Sequence, residues 1–172
     1  MQVVELAVLD WIQTHLRCGV LDVVMPTVSR LSDHGEIWIV LAVILLCRKG
    51  QRRRGLSVGA ALLLDLVSCN LLLKPLIGRV RPCVVRGAVE LLVAVPADAS
   101  FPSGHTAASF AAVSALYFSG SPLWKPTAAL AGLIAFSRLY LYVHWPTDIL
   151  GGMLLGLAVG WLGAKIVKKV SP

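Results

Sequence analysis

Seven side chains in three short stretches have the types and spacing to do chemistry on an anion: Lys74 and Arg81; Ser103 and His105; Arg138, His144 and Asp148. Three cations with two histidines and a single carboxylate repel a divalent metal, which wants anionic oxygen or thiolate ligands. Phosphate suits them better, since a guanidinium presents forked donors to its oxygens and an ammonium adds a point charge. Pro102-Ser103-Gly104-His105 reads as a helix N-terminus, with Ser103 at the cap and Gly104 allowing close approach, so free backbone N–H groups would join the cradle.

Phosphate transfer also needs a nucleophile. His144 stands four residues before Asp148, so the carboxylate can hold one ring nitrogen while the other attacks phosphorus. His105 is then the general acid for the departing lipid oxygen, and water hydrolyses the phosphohistidine in a second step. Lys74, Arg81 and Arg138 would neutralise the equatorial oxygens in both transition states. Neither a metal nor a cofactor is expected. Taken alone, Ser103 is as well explained as a helix cap, and Asp148 as a first-turn acid complementing a helix dipole. It is the company of His144 that favours the catalytic reading of Asp148.

These residues are carried by a membrane chain. Its 172 residues are 57% hydrophobic, with a mean hydropathy of +0.78, beyond what soluble domains carry. The expected architecture is an all-α integral membrane bundle of five or six transmembrane helices, one domain over residues 1–172. Residues 1–31 read as an amphipathic N-terminal segment, with Val3, Leu6, Leu9, Ile12 and Leu16 at helical spacing and charges between them. Pro26 and the Ser32–Gly35 stretch mark a break. No cleavable leader is read there, because Glu5, Asp10 and Arg17 interrupt it.

The spans expected next are 37–47, extended back towards Asp33, then 56–73, 106–118, 126–143 and 149–167. Five cations between Arg48 and Arg54 assign that loop to the cytoplasm. Parity then collects the polar residues at the outer ends of the helices, facing the extracytoplasmic side of a cell membrane, where ionisable groups mark a site by default. The net charge of +7 is thereby explained by topology, with no nucleic-acid partner. Stretch 74–103 is the one long outer connection and 119–125 a tight inner turn.

Several residues receive structural readings. Arg79 and Arg86 read as loop or interface cations that steer anionic lipid heads, with phosphate ligation as the alternative, and His15 and His34 read as surface residues. Asp65 and Asn70 read as hydrogen-bonding to neighbouring helices, and Gly151, Gly152, Gly156 and Gly160 as a close-packing face of the last helix. Cys18, Cys47, Cys69 and Cys83 read as unpaired. One tension is geometric: on an ideal helix residues 138 and 144 lie about 240° apart, so Arg138 reaches the site only if its helix ends or bends before His144.

Lys74 with Arg81-Pro82, then Pro102-Ser103-Gly104-His105, then Ser137-Arg138 with His144 and Asp148, resemble the three signature motifs of the type 2 phosphatidic acid phosphatase superfamily, in that family's order across residues 74–148. The resemblance implies a six-helix membrane fold and metal-free hydrolysis of a lipid phosphate or diphosphate, with His144 as nucleophile, His105 as acid and Asp148 orienting His144. It places Lys74, Arg81, Ser103, Gly104 and Arg138 around the phosphate. Ala97-Asp98-Ala99-Ser100-Phe101-Pro102-Ser103 is similar to the segment of bacterial undecaprenyl-diphosphate phosphatases, which points to that substrate in a bacterial inner membrane. The Lys-led first motif is equally similar to phosphatidylglycerophosphate phosphatases, and phosphatidic acid is a further alternative substrate. From other classes, an anion or lipid-phosphate transporter has no use for two histidines placed this way. A pseudoenzyme would have lost one of His105, His144 or Asp148, and a metal-dependent hydrolase would be sensitive to chelators.

Overall fold

The computed structural model describes residues 2–87 and 89–170, which among themselves hold only helices and their connections. In chain order these are α1 (Gln2–His15), α2 (Gly19–Arg30), a 3-10 turn (Asp33–Gly35), α3 (Glu36–Cys47), α4 (Arg52–Asp65), α5 (Lys74–Ile77), α6 (Pro82–Arg86), α7 (Gly104–Phe118), α8 (Trp124–Tyr140) and α9 (Pro146–Val170). A π-helical stretch, Leu66–Leu73, joins α4 to α5.

Helix α7 is the axis of the bundle, packed against α9, α8 and α4. Its sequence explains why. Ala107, Ala108, Ala111, Ala112 and Ala115 are all buried, and a helix this thin lets its neighbours come close on every side. Helix α9 answers with glycines in register. A Cβ on Gly152 would lie 2.6 Å from the Ser103 carbonyl oxygen, one on Gly156 2.3 Å from that of Ala107, and one on Gly160 2.4 Å from that of Ala111. Four-residue steps on both helices thus run backbone against backbone, as expected of that glycine face. Gly151 meets the Phe101 ring instead. Ser114 reinforces the seam by donating to the Leu157 carbonyl (2.7 Å), and Trp38 of α3 donates its indole N–H to Ser109 of α7 (3.0 Å).

The bundle turns apolar side chains outward. Val40 and Ile44 on α3, Leu71 and Leu72 on the α4 rod, and Leu150 and Leu154 on α9 are exposed. An apolar face this wide, carried by helices whose interior is already closed by its own apolar core, belongs in lipid. The rod from Arg52 and helix α9 are each long and apolar enough to cross a bilayer. Helices α3, α7 and α8, of 12, 15 and 17 residues, are shorter.

Three expected boundaries shift. Helix α3 does not run back towards Asp33: His34 (φ 54) and Gly35 (φ 75) are left-handed, and the helix begins at Glu36. Helix α8 stops at Tyr140 rather than at Val143, because Tyr142 is left-handed (φ 60) and Val143 N–H returns to the Arg138 carbonyl (3.2 Å). That reversal removes the tension over Arg138, since an ideal helix no longer connects it to His144. The outward rod is not one regular α-helix: Lys74 N–H bonds to the Cys69 carbonyl five residues back, which widens the helix just below Lys74.

The N-terminal segment is amphipathic in part only. Leu9 and Ile12 are buried as expected, but Val3 is exposed and Glu5, expected among the charges outside, is buried. Asp65 and Asn70 make no interhelical side-chain bonds among the described residues, and Asp65 keeps one buried oxygen without a partner. His15 and His34 are exposed, and the four cysteines are free, Cys69 and Cys83 being buried.

Candidate active site

The glycine-packed seam brings the N-terminus of α7 against that of α9, where Ser103 N–H donates to the Asp148 carbonyl (3.1 Å). The turn between α8 and α9 therefore lies beside the Pro102–His105 stretch, and the rod from Arg52 brings Lys74 to the same place. Lys74, Arg81, Gly104, His105, Arg138 and His144 line one cavity of about 1350 Å³. Six of the eight residues expected at the site thus face a common space. The other two, Ser103 and Asp148, stand behind it, both fully buried.

His144 is held at both ring nitrogens. Its Nδ1 faces Asp148 Oδ2 at 3.4 Å, at the long end of a hydrogen bond, and its Nε2 lies 3.2 Å from Arg81 Nη1. A guanidinium can only donate, so Nε2 must be the acceptor and the ring proton belongs on Nδ1, facing the carboxylate. The nitrogen that carries the lone pair is the one aimed at the cations. Burial, then the charges of Arg138 and Arg81, outweigh Asp148 and hold the His144 pKa down to about 3, so the ring is neutral at physiological pH.

Asp148 is fixed from several directions. Its Oδ2 accepts from Trp145 N–H (2.9 Å) and from the Ser100 hydroxyl, and its Oδ1 accepts from Arg79 (2.6 Å). Arg79 also bonds to Glu5 (2.7 Å) and Thr147 (2.6 Å), with its guanidinium 5.0 Å from the centre of the Trp145 ring. Reading Arg79 as a loop or interface cation is therefore a correction: it is built into the protein behind the histidine. Arg86 does stay at the surface, paired with Asp10.

The cations form the opposite wall. Asp98 bridges Lys74 and Arg81, accepting from the ammonium on Oδ2 and from Arg81 Nη2 on Oδ1 (2.7 Å), with its side chain 49% exposed. Burial favours its neutral form, but the bonds to Lys74 and then Arg81 more than compensate and hold its pKa at about 2. Arg138 is buried and donates to Ser29, while its Nε–H has no partner among the described residues. An orphaned guanidinium donor beside an open cavity is prepared for an anion. Gly104 stands against the ammonium, where a Cβ would lie 3.4 Å from Lys74 Nζ, an ordinary contact. Ser103 takes the N-cap position without capping; its hydroxyl instead accepts from Thr106 (3.0 Å). The first amides of α7 still precede its first internal bond, from Ala107 N–H to the Ser103 carbonyl (2.9 Å).

His105 Nε2 meets Asp33 Oδ1 at 2.8 Å, so the carboxylate keeps a proton on that nitrogen. Asp33, Glu5, Arg79, Asp98 and Ser100 were all missed as site residues by the sequence reading. For Arg79 a signal existed, two residues before Arg81. Asp98 and Ser100 stand in the 97–103 segment that leads into Pro102–His105, whereas Glu5 on α1 and Asp33 in the 3-10 turn carry no local motif.

A helical membrane bundle whose cleft joins a carboxylate-backed histidine to a cluster of cations has the chemistry to hold a phosphate beside a neutral imidazole, which narrows the class to membrane proteins that handle phosphate. Residues 54–172 match the PAP2 superfamily. The chain is 32% identical to the undecaprenyl-diphosphatase of Sulfolobus acidocaldarius over 79% of its length and 67% of that protein's. It is 33% identical to the decaprenylphosphoryl-5-phosphoribose phosphatase of Mycobacterium tuberculosis, over 91% and 86%. The crystal structure of a transmembrane PAP2-type phosphatidylglycerolphosphate phosphatase from Bacillus subtilis superposes with a TM-score of 0.75, at 27% identity, covering 99% of this chain and 87% of that one. The chain belongs to the PAP2 superfamily and is an all-α integral membrane lipid phosphatase.

Proposed function

We propose that this phosphatase converts undecaprenyl diphosphate to undecaprenyl phosphate at the extracytoplasmic face of the cell membrane, through a phosphohistidine on His144 and without a metal. The observation that carries the mechanism is the pair of contacts on His144, Nδ1 with Asp148 and Nε2 with the donor-only Arg81, from which the proton belongs on Nδ1 and the lone pair on Nε2. The terminal phosphate displaces the Asp98 carboxylate from Lys74 and Arg81, and takes the vacant donor of Arg138 and the α7 amides. Nε2 then attacks phosphorus as the bond to the bridging oxygen breaks, and His105, entering as an imidazolium with its Nε2–H on Asp33, gives that oxygen the proton on Nδ1. Water, deprotonated by the now neutral His105, attacks the phosphohistidine and returns His144 to its starting state. Lys74, Arg81 and Arg138 stay with the equatorial oxygens throughout. Asp148 keeps the Nδ1 proton and balances the charge on the ring.

The tail reading rests on the cavity. Below the site it is lined by Ile39, Val43 and Leu46 of α3 and by Leu56 and Leu63 of α4. Leu56 to Lys74 is about 27 Å of helix at 1.5 Å per residue, enough for a long isoprenoid to lie along the bundle. The carrier-lipid relatives support the same choice, while the likeness to a phosphatidylglycerolphosphate phosphatase supports a glycerophospholipid as the second reading. The deciding experiment measures phosphate release by detergent-purified protein, with EDTA present, from undecaprenyl diphosphate, phosphatidylglycerophosphate and phosphatidic acid. Fastest release from the first supports the reading, and a preference for either phospholipid replaces it with the second. Release abolished by EDTA would sink the metal-free mechanism.

A further inference from the structure

Two carboxylates of α1 each meet an arginine of the 74–103 stretch, in opposite settings. Asp10 and Arg86 are 3.2 Å apart with side chains 39% and 52% exposed, a surface pair of small consequence. Glu5 and Arg79 are 2.7 Å apart with side chains 6% and 17% exposed, and Arg79 continues to Asp148, from which water is excluded. Both oxygens of Glu5 are used: Oε2 takes Arg79, and Oε1 takes the N–H (3.0 Å) and hydroxyl (2.6 Å) of Thr147 in the first turn of α9. Burying two acids and a base is costly unless the network is complete, and this one ends on the carboxylate that faces His144.

We infer that Glu5 and Arg79 are positioning residues of the catalytic site: Arg79 fixes the carboxylate of Asp148 on His144, and Glu5 fixes Arg79 and balances its charge. This rests on His144 being the nucleophile. The His144–Asp148 contact is long, so the other bonds to Asp148 must set its orientation, and Arg79 is the only one of them that carries charge. An unbalanced Arg79 would cancel the charge with which Asp148 supports the ring. With Glu5 present, the Glu5–Arg79–Asp148 row carries one net negative charge. Removing the acid leaves the row neutral, and removing the arginine leaves it doubly negative. The other charges near His144 are Arg81 beside its Nε2, Arg138 of α8 and Asp98 beyond Arg81; His105 of α7 lines the same cavity. None of them is altered by either substitution.

The two variants must therefore move the titration of His144 in opposite directions, which a merely structural role cannot do. The test is the pH profile of kcat/KM and the separate kcat and KM of the full-length, detergent-purified protein on its fastest lipid substrate. Wild type is compared with Glu5→Gln, Arg79→Gln, the double variant, Arg79→Lys and His144→Ala. Expected are a fall in kcat of about tenfold for Glu5→Gln and about a hundredfold for Arg79→Gln, with KM changed less than about twofold. The acid limb should move to lower pH in Glu5→Gln and to higher pH in Arg79→Gln, and Arg79→Lys should recover part of the kcat. The double variant should be no slower than Arg79→Gln, because Glu5 acts through Arg79. A wild-type kcat and profile in Glu5→Gln, or losses that multiply in the double variant, would overturn the inference. So would a lowered melting temperature with an unmoved profile. Full turnover by His144→Ala would overturn the nucleophile reading itself, and is a separate result.

Discussion

Two arginine–carboxylate pairs flank His144, and they differ in almost everything except chemistry. On the cation wall, Arg81 and Lys74 hold Asp98, whose side chain is half exposed at the cavity mouth. On the far side, Arg79 holds Asp148, which is wholly buried and bound on both oxygens. A half-exposed carboxylate can exchange its buried partners for water, whereas breaking a fully buried pair strands a charge. The first is suited to occupying an anion site until a phosphate arrives, and the second to fixing a catalytic group. Each can be broken separately.

The largest effects are expected on the buried side. His144→Ala should lower turnover by more than about 10³-fold, and His105→Ala by about 10² to 10⁴-fold, with the helical circular dichroism of both unchanged. Turnover retained by His144→Ala would remove the distinction between the two walls. Next comes the seam that holds both histidine-bearing elements together. Gly156→Val places atoms where even a Cβ would lie 2.3 Å from the Ala107 carbonyl oxygen, so the melting temperature should fall with a destabilisation of about 1–3 kcal/mol or more. An unchanged melting temperature would mean that α7 and α9 can separate freely.

On the exposed side the effect is smaller and of opposite sign. Asp98→Asn removes the resident carboxylate while keeping the shape, so inorganic phosphate should inhibit more tightly, by about tenfold or 1.4 kcal/mol. Weaker inhibition would show that Asp98 helps to form the anion site.

The smallest effects should appear with pH near neutrality. Because the folded pKa of His144 is depressed to about 3, stability is fully present above the ordinary histidine value and declines as pH falls from about 6.5 towards 3. The same decline should be reduced in His144→Ala when melting temperatures are compared between pH 7 and 5. Asp98, held at about 2, contributes fully above the ordinary carboxylate value and loses its contribution progressively as pH falls from there through 2, so pH 5 leaves that pair intact.

What the sequence determined by itself was the chemistry and the medium. The apolar composition dictates helices in lipid, and the motifs carrying Lys74, Arg81, Gly104, His105, Arg138 and His144 announce residues that share one cavity, because each motif is local and lies at or near a helix end. The four-residue glycine steps of α9 were equally legible, since close helix approach leaves a periodic mark. The tertiary structure decided which charges face one another. Nothing near Glu5 says that its carboxylate turns inward, nothing near Asp98 or Ser100 says which arginine or carboxylate it meets, and Asp33 reaches His105 only because a left-handed pair, His34 and Gly35, reverses the chain there. Likewise Arg138 joins the site because Tyr142 adopts a left-handed conformation that helical periodicity cannot announce. Hydrophobic burial is written in composition and period, whereas a buried ion pair is settled by the packing of distant segments, where desolvation leaves each charge one acceptable partner.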